Sequence, residues 1–322
     1  MEFEDRIWFY LFQMPVTGYA VCVVLAAAAG LGLFLYRGSR RRLDTDALWG
    51  TALLALPLGL LGARLFYCLA RFSLYEEIGL ENMLRLWDGG YALWGAAGGA
   101  ALAAVIGTRC GKQPLAPLLD ALAPAGALTI ALARFGEFFS GEGCGPYVED
   151  EAFQFFPLAV YDGYYEEWKW AVFMLEGLAA LAILAALLRK QRKAGDTARL
   201  FLLLYSACQI LLESLRRDSY LRWLFVKVSQ LTAAIVIVML MAAATVRWAR
   251  RKDARRMTGK GLLMRWLAAA ASVGLIIALE FAVDDKIWHE LPIWGIYGLM
   301  ACACAVIGVS AHQTVFRSLK TE

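Results

Sequence analysis

The segment ARFGEFFSGEGCG, residues 133–145, closes a long apolar run and brings Arg134, Glu137 and Glu142 within nine residues of one another. Carboxylates hold or move protons, a guanidinium grips an anion such as phosphate in a fork, and glycine lets backbone come close to a ligand. In hydrocarbon, an ionisable side chain costs about 2.5–3.5 kcal/mol at mid-span unless it is paired or wetted. Charges kept in such a place mark a pathway or a reactive site.

Other apolar runs carry polar side chains of the same kind: Tyr19, Arg64 in LLGARLFY, Asp120, Glu176 in FMLEGL, and Tyr205, Gln209 and Glu213 in LYSACQILLESLRR. Tyr205, Gln209, Glu213 and Arg216 recur at helical spacing and line one face, which must look onto protein or water rather than lipid. Arg64, Arg134, Glu137, Glu176 and Glu213 suit mutually compensating pairs inside a bundle. Such a set is either a structural ion network or the lining of a substrate cavity.

These residues need elements that cross a membrane. The chain has 322 residues, 60% of them hydrophobic and 19% charged, with a mean hydropathy of +0.55; soluble domains are near 25% charged. Nine apolar segments approach the roughly 20 residues that span a bilayer: 16–36, 47–70, 90–108, 115–139, 169–188, 199–215, 227–246, 261–283 and 292–311. The fold class predicted is an all-α polytopic membrane helix bundle.

Alternate loops are basic: Arg37, Arg40, Arg41 and Arg42, then Arg109 and Lys112, RKQRK at 189–193, RWARRKDARR at 247–256, and Arg317 with Lys320. The loops between them, 76–82, 141–151 and 284–290, are acidic or mixed. The positive-inside rule puts the N-terminus outside and the C-terminus in the cytoplasm. The loop with Arg216, Arg217, Arg222 and Lys227 is a basic exception on the outer side. It fits either snorkelling to lipid phosphates or a phospholipid-headgroup cluster. The aromatic, acidic stretch 140–168 reads as an interfacial anchor or a partly helical lid.

Several classes are set aside. The seven cysteines show no CxxC pair or Cys/His ligand spacing, so neither zinc nor a disulfide framework is expected, and no cofactor is implied. The net charge of +4 sits in inter-span loops and is no nucleic-acid signal. The acidic start MEFEDRIWFY does not read as a cleavable signal peptide. Asp284, Asp285, His289 and Glu290 read as a solvated loop rather than a metal site.

Seven motifs in order over about 245 residues resemble the prolipoprotein diacylglyceryl transferase family. They are GYAVCVVLAAAAGL with Tyr19, LLGARLFY, WDGGYALWGAAGG at 87–99, LLDALAPAGALTIALARFGEFFSGEGCG at 118–145, FMLEGL, LYSACQILLESLRRD and VSQL at 228–231. The resemblance implies a seven-span transferase-like membrane core over 1–246, leaving 247–322 as a basic loop and a two-span hairpin. It implies transfer of the diacylglyceryl group of phosphatidylglycerol to a lipobox cysteine thiol of a preprolipoprotein, at the outer leaflet of a bacterial plasma membrane, with glycerol-1-phosphate leaving. On that pattern Arg134, Glu142 and Glu137 are the catalytic candidates. Arg134, Ser140, Gly141, Gly145, Arg64 and Arg216 would bind the lipid headgroup. Tyr19, Trp94, Glu176, Tyr205, Gln209 and Glu213 would form a supporting shell.

This sequence departs from the family pattern at telling places. The usual histidine falls on Trp94, which donates a hydrogen bond but accepts no proton, and a usual arginine falls on Gln209. The signature's two asparagines are Glu137 and Ser140, and the tyrosine beside Glu176 is Leu175. Both histidines, His289 and His312, lie outside the matching region. Two main classes of function stay open: a diverged transferase in which Glu137 or Glu142 takes the proton and Arg134 with Arg216 handles phosphate, or a non-catalytic phospholipid- or lipoprotein-binding paralogue. A transferase using another acceptor or lipid is a third.

Overall fold

The computed structural model describes residues 7–11, 14–163, 165–189, 193–217, 221–223, 226–251, 256–283 and 292–318. Asp284, Asp285, His289, Glu290, Lys320 and part of each basic run at 189–193 and 247–256 fall outside the described residues.

All nine apolar segments are helices, because in hydrocarbon only intra-segment bonding satisfies every backbone N–H and C=O. They are α1 (Gly18–Arg40), α2 (Thr45–Ala70), α4 (Leu93–Cys110), α5 (Leu115–Gly136), α6 (Val172–Leu188), α7 (Asp196–Leu215), α8 (Val228–Arg250), α9 (Gly259–Val283) and α10 (Ile293–Arg317), with a short interhelical α3 (Phe72–Ile78). Eight are long and apolar enough to cross a membrane, and α6 is a shorter apolar helix of 17 residues. Local signals set the starts of α1 and α2: Thr17 Oγ1 accepts from Ala20 N, and Asp44 Oδ1 accepts from Ala47 N.

Among the described residues, three two-stranded antiparallel pairs lie between or before helices: β1 (Ile7–Leu11) with β2 (Met14–Thr17), β3 (Ala159–Asp162) with β4 (Glu167–Trp170), and β5 (Arg222–Trp223) with β6 (Val226–Lys227). The stretch 140–168 reads from the sequence as an interfacial anchor or a partly helical lid; its described residues hold a three-residue 3₁₀ turn, Glu151–Phe153, and the β3–β4 strand pair. Alternation along AVYD and EWKW suits a strand pair, with Tyr161 against Trp168 and Lys169 2.6 Å from Asp162. Burial is the largest single effect on Lys169 and lowers its pKa, but the hydrogen bond and charge of Asp162, with Tyr147 and Cys144, together outweigh it and the net shift is upward.

The chain divides into two compact units, Met1–Phe201 with Leu215–Val228, and Leu202–Ser214 with Ser229–Glu322. In the first, α2 packs on α4, α1 on α5 and α5 on α6. The α2–α4 seam is made of small residues: Gly95, Gly99, Ala103 and Gly107 recur every fourth position on α4 and are buried. A Cβ on Gly99 would overlap the Leu58 carbonyl and come within 2.9 Å of Gly59 Cα. Small residues let two helices approach backbone to backbone, which stands in for the hydrophobic drive absent in lipid. The opposite side of α2 exposes Leu53, Leu56, Leu60 and Leu69. Phe34, Leu48, Leu118 and Ala121 belong to the buried apolar cluster of this unit.

Asp120, buried on α5, accepts from Gly195 N at 2.7 Å and Ala198 N at 2.9 Å. It therefore caps the start of α7 from another helix, satisfying amide groups that a helix N-terminus leaves open.

In the second unit α9 packs on α10, with Leu279, Met300 and Ile307 fully or almost fully buried. A polar knot joins three helices: Gln230 Nε2 on α8 donates to Ser214 Oγ on α7 at 2.7 Å and to Glu280 Oε1 on α9 at 2.8 Å, and Ser214 Oγ also donates to that carboxylate.

Candidate functional site

Helix α5 carries Arg134 in its last turn and stops at Gly136, where a Cβ would come within 2.5 Å of Cys22 Cβ. The chain then tightens into a 3₁₀ turn, Glu137–Phe139. Ser140 N and Gly141 N both donate to Glu137 O at 3.0 Å, and Ser140 Oγ bonds the same carbonyl while accepting from Glu142 N. The hydroxyl of Ser140 thus shapes the loop that follows. Gly141 and Gly143 have positive φ, 70° and 75°. At Gly143 a side chain is excluded twice over, since its Cβ would also meet Phe173 Cβ at 2.8 Å and the Glu137 carboxylate.

The loop is tied down on both sides. Phe173 N donates to Gly143 O at 2.8 Å, Gly145 N to Trp170 O at 2.8 Å, and Arg217 N to Cys144 O at 2.9 Å. The last bond brings the residue after α7, Arg216, to the loop. Buried Lys227 donates from Nζ to Arg216 O at 3.3 Å.

These constraints assemble a quartet. Arg134 Nε lies 2.7 Å from Glu176 Oε2, and its Nη1 bonds Glu137 Oε1. Arg216 Nη1 lies 3.6 Å from Glu176 Oε2 and 4.0 Å from Glu137 Oε2. The four side chains are only 3–14% exposed, so they interact in a low-dielectric setting. Two guanidinium and two carboxylate groups leave it neutral overall. Of the pairings expected among Arg64, Arg134, Glu137, Glu176 and Glu213, those of Arg134 with Glu137 and Glu176 form here, joined by Arg216.

The other sequence-predicted residues are placed variously. Tyr19, in the first turn of α1, lies within electrostatic reach of Arg134, Glu137, Glu142 and Arg216. Glu142 is exposed on the loop two residues past Ser140. Gly145 is buried against Trp170, Val172 and Leu215. Trp94 is half-buried in the first turn of α4. Arg64 is buried and gives its N–H groups to main chain: Nε to Met83 O at 3.1 Å, Nη2 to Asn82 O at 2.8 Å, and Nη1 to Gly89 O. Its guanidinium also stacks over Tyr75 at 5.6 Å. In that position it organises the loop 82–90. Burial is the largest of the effects that raise the Tyr75 phenol, which stays neutral beside it.

Tyr205, Gln209 and Glu213 are buried in the second unit, where Gln209 Nε2 donates to Glu213 Oε2 at 2.8 Å. The expected shared face is visible in that i, i+4 bond. Lys227, expected in the basic outer cluster, is buried against Arg216 O. Sequence reasoning did not single out Gly143 or the Ser214–Gln230–Glu280 knot. Alternate glycines in GEGCG gave no way to choose among them. The knot joins residues 66 positions apart.

A model of the prolipoprotein diacylglyceryl transferase family matches residues 6–246. The chain belongs to that family. A Streptococcus suis (strain 05ZYH33) protein named phosphatidylglycerol–prolipoprotein diacylglyceryl transferase is 28% identical over 256 residues, 77% of this chain and 94% of its own. A Clostridium botulinum (strain Langeland) protein of that name is 30% identical over 241 residues, 73% of this chain and 94% of its own. One from Symbiobacterium thermophilum is 28% identical over 267 residues, with shares of 79% and 96%. The family match ends before α9 and α10. It contains the whole quartet.

Proposed function

We propose that the protein transfers the diacylglyceryl group of phosphatidylglycerol to the thiol of a lipobox cysteine in a prolipoprotein, at the outer leaflet of a bacterial plasma membrane, with its N-terminus outside and its C-terminus cytoplasmic. The observation that carries this is the buried Arg134–Glu137–Glu176–Arg216 quartet, which belongs to a chain of the transferase family.

The chemistry needs what the quartet supplies. Sulfur forms a bond to the glyceryl carbon while that carbon's bond to the phosphate oxygen breaks, and glycerol-1-phosphate leaves. The phosphate goes from one negative charge to two, and the thiol proton must go to a base. Arg134 and Arg216 answer the growing charge, since fixed cations in a water-poor site stabilise a transition state without reorganising. Glu176 and Glu137 hold both guanidinium groups in place. Glu142, exposed on the same loop, receives the thiol proton. Ser140 and Gly141 shape the loop around the headgroup, while Gly145 and Arg64 support the surrounding frame. Tyr19 and Trp94 form the supporting shell.

The family's usual histidine and arginine, replaced by Trp94 and Gln209, are not required under this assignment: proton transfer rests on a carboxylate, and the cations come from Arg134 and Arg216. The test is a transfer assay with purified protein, labelled phosphatidylglycerol and a lipobox peptide, run beside Arg134→Ala. Wild-type transfer that falls by about 10²–10³-fold in the variant is expected. Phosphatidylglycerol binding without any transfer by the wild type would overturn the proposal in favour of a binding paralogue.

A further inference from the structure

The second unit holds a cleft whose lining contains none of the quartet residues. Leu203, Ala207 and Leu211 of α7 and Cys304, Ala305 and Gly308 of α10 line an apolar channel of about 550 Å³. That is within the roughly 300–1,000 Å³ of clefts that take small organic ligands. At one end the lining turns polar, with His312, Gln313 and Arg317. Gln313 and Arg317 also line a chamber of about 270 Å³ completed by Arg256, Met257 and Arg265.

The chamber is a built feature. Arg317 is the last residue of α10, and Arg265 lies near the start of α9. Arg256 N and Met257 N both donate to Ser318 O, at 3.0 and 3.2 Å, and Trp248 Nε1 donates to Met257 O at 2.9 Å. Arg256 and Arg317, both exposed, and the half-buried Arg265 border the same small space. Among the described residues, no carboxylate lines either cavity and none forms an ion pair with these arginines. Gln313 Oε1 is buried and has no hydrogen-bond donor among the described residues.

An apolar channel leading into a cationic chamber with an unsatisfied acceptor matches an amphiphile with an anionic head, a hydroxyl donor and a long chain. We propose that this is a binding site for an anionic, glycerol-headed phospholipid, drawn from the leaflet at the α10 C-terminal end. One acyl chain lies between α7 and α10, the phosphate sits among Arg256, Arg265 and Arg317, and a headgroup hydroxyl donates to Gln313. This lipid is bound and not consumed. The site stands on residues of the second unit alone and does not depend on the transferase assignment.

The test is native mass spectrometry of the full chain titrated with phosphatidylglycerol, and separately with phosphatidylcholine of the same chains. Two variants are compared with wild type: R256Q/R265Q/R317Q, which removes the cations, and Gly308→Phe, which fills the channel where a Cβ would already stand 3.7 Å from Ala207 Cβ. Each variant is expected to bind one fewer phosphatidylglycerol than wild type, with affinity at that site roughly 100-fold weaker in the triple variant. Phosphatidylcholine counts should not change. Helix content by circular dichroism and a single size-exclusion peak check folding, and either variant that passes is sufficient. Should both fail, the excess of phosphatidylglycerol over phosphatidylcholine bound by wild type, together with its loss in R317Q, decides. Equal phosphatidylglycerol counts in wild type and a folded variant would overturn the site. So would displacement of the bound lipid by glycerol-1-phosphate at equal concentration, which would point to a soluble anion.

Discussion

Arg134 touches two carboxylates from two different elements, and Glu137, at the first residue past α5, meets both arginines. On the resemblance drawn from the sequence, Glu137 takes the place of an asparagine, which would make one of the quartet's two negative charges an addition to the family pattern. It competes with an incoming phosphate for the same guanidinium groups. Glu137→Asn should therefore keep transfer and lower the KM for phosphatidylglycerol by about tenfold, the scale of a 1.4 kcal/mol change. Loss of transfer in that variant would instead make the carboxylate part of the reaction. At this scale the sequence was half legible. Arg134, Glu137, Glu176 and Arg216 stand out as charges in apolar surroundings, but which carboxylate meets which arginine depends on three elements converging. Arg64 stands out equally, yet its N–H groups go to the carbonyls of Asn82, Met83 and Gly89. Backbone acceptors leave no trace in residue type.

Between elements, the contacts that hold helices together are of two kinds. The α2–α4 seam is steric, and Gly99→Leu should force the helices apart. We expect its thermal midpoint in detergent to fall by several degrees, as overpacking costs about 1–3 kcal/mol; an unchanged midpoint would mean the seam has slack. The Ser214–Gln230–Glu280 knot is polar. Glu280→Ala should destabilise by about 1 kcal/mol, the range measured for hydrogen bonds between membrane helices, with no change in the KM for phosphatidylglycerol. A KM that rises sharply would assign the knot to the substrate site. The helices themselves were legible because runs of about 20 apolar residues have one solution in a bilayer. The β3–β4 hairpin was not, because its aromatic residues suit an interfacial helix as well as a strand pair.

At the scale of the molecule, the family match covers residues 6–246, and α9 and α10 beyond it contribute to a knot, a channel and a cationic hollow. The length of the short apolar helix α6 has a physical consequence for the surrounding lipid. At 1.5 Å per residue, α6 with its 17 residues is about 26 Å long, while the 26 of α2 make about 39 Å. A hydrocarbon layer of about 30 Å matches neither, so α2 must tilt, while the layer must thin beside α6, which carries Glu176. Lipids next to α6 are then held in a compressed annulus, and bilayer thickness becomes a control on turnover. In proteoliposomes of fixed phosphatidylglycerol content, transfer should fall as the bulk acyl chains lengthen from 14 to 22 carbons. A flat profile would mean that the short helix is accommodated by the protein alone.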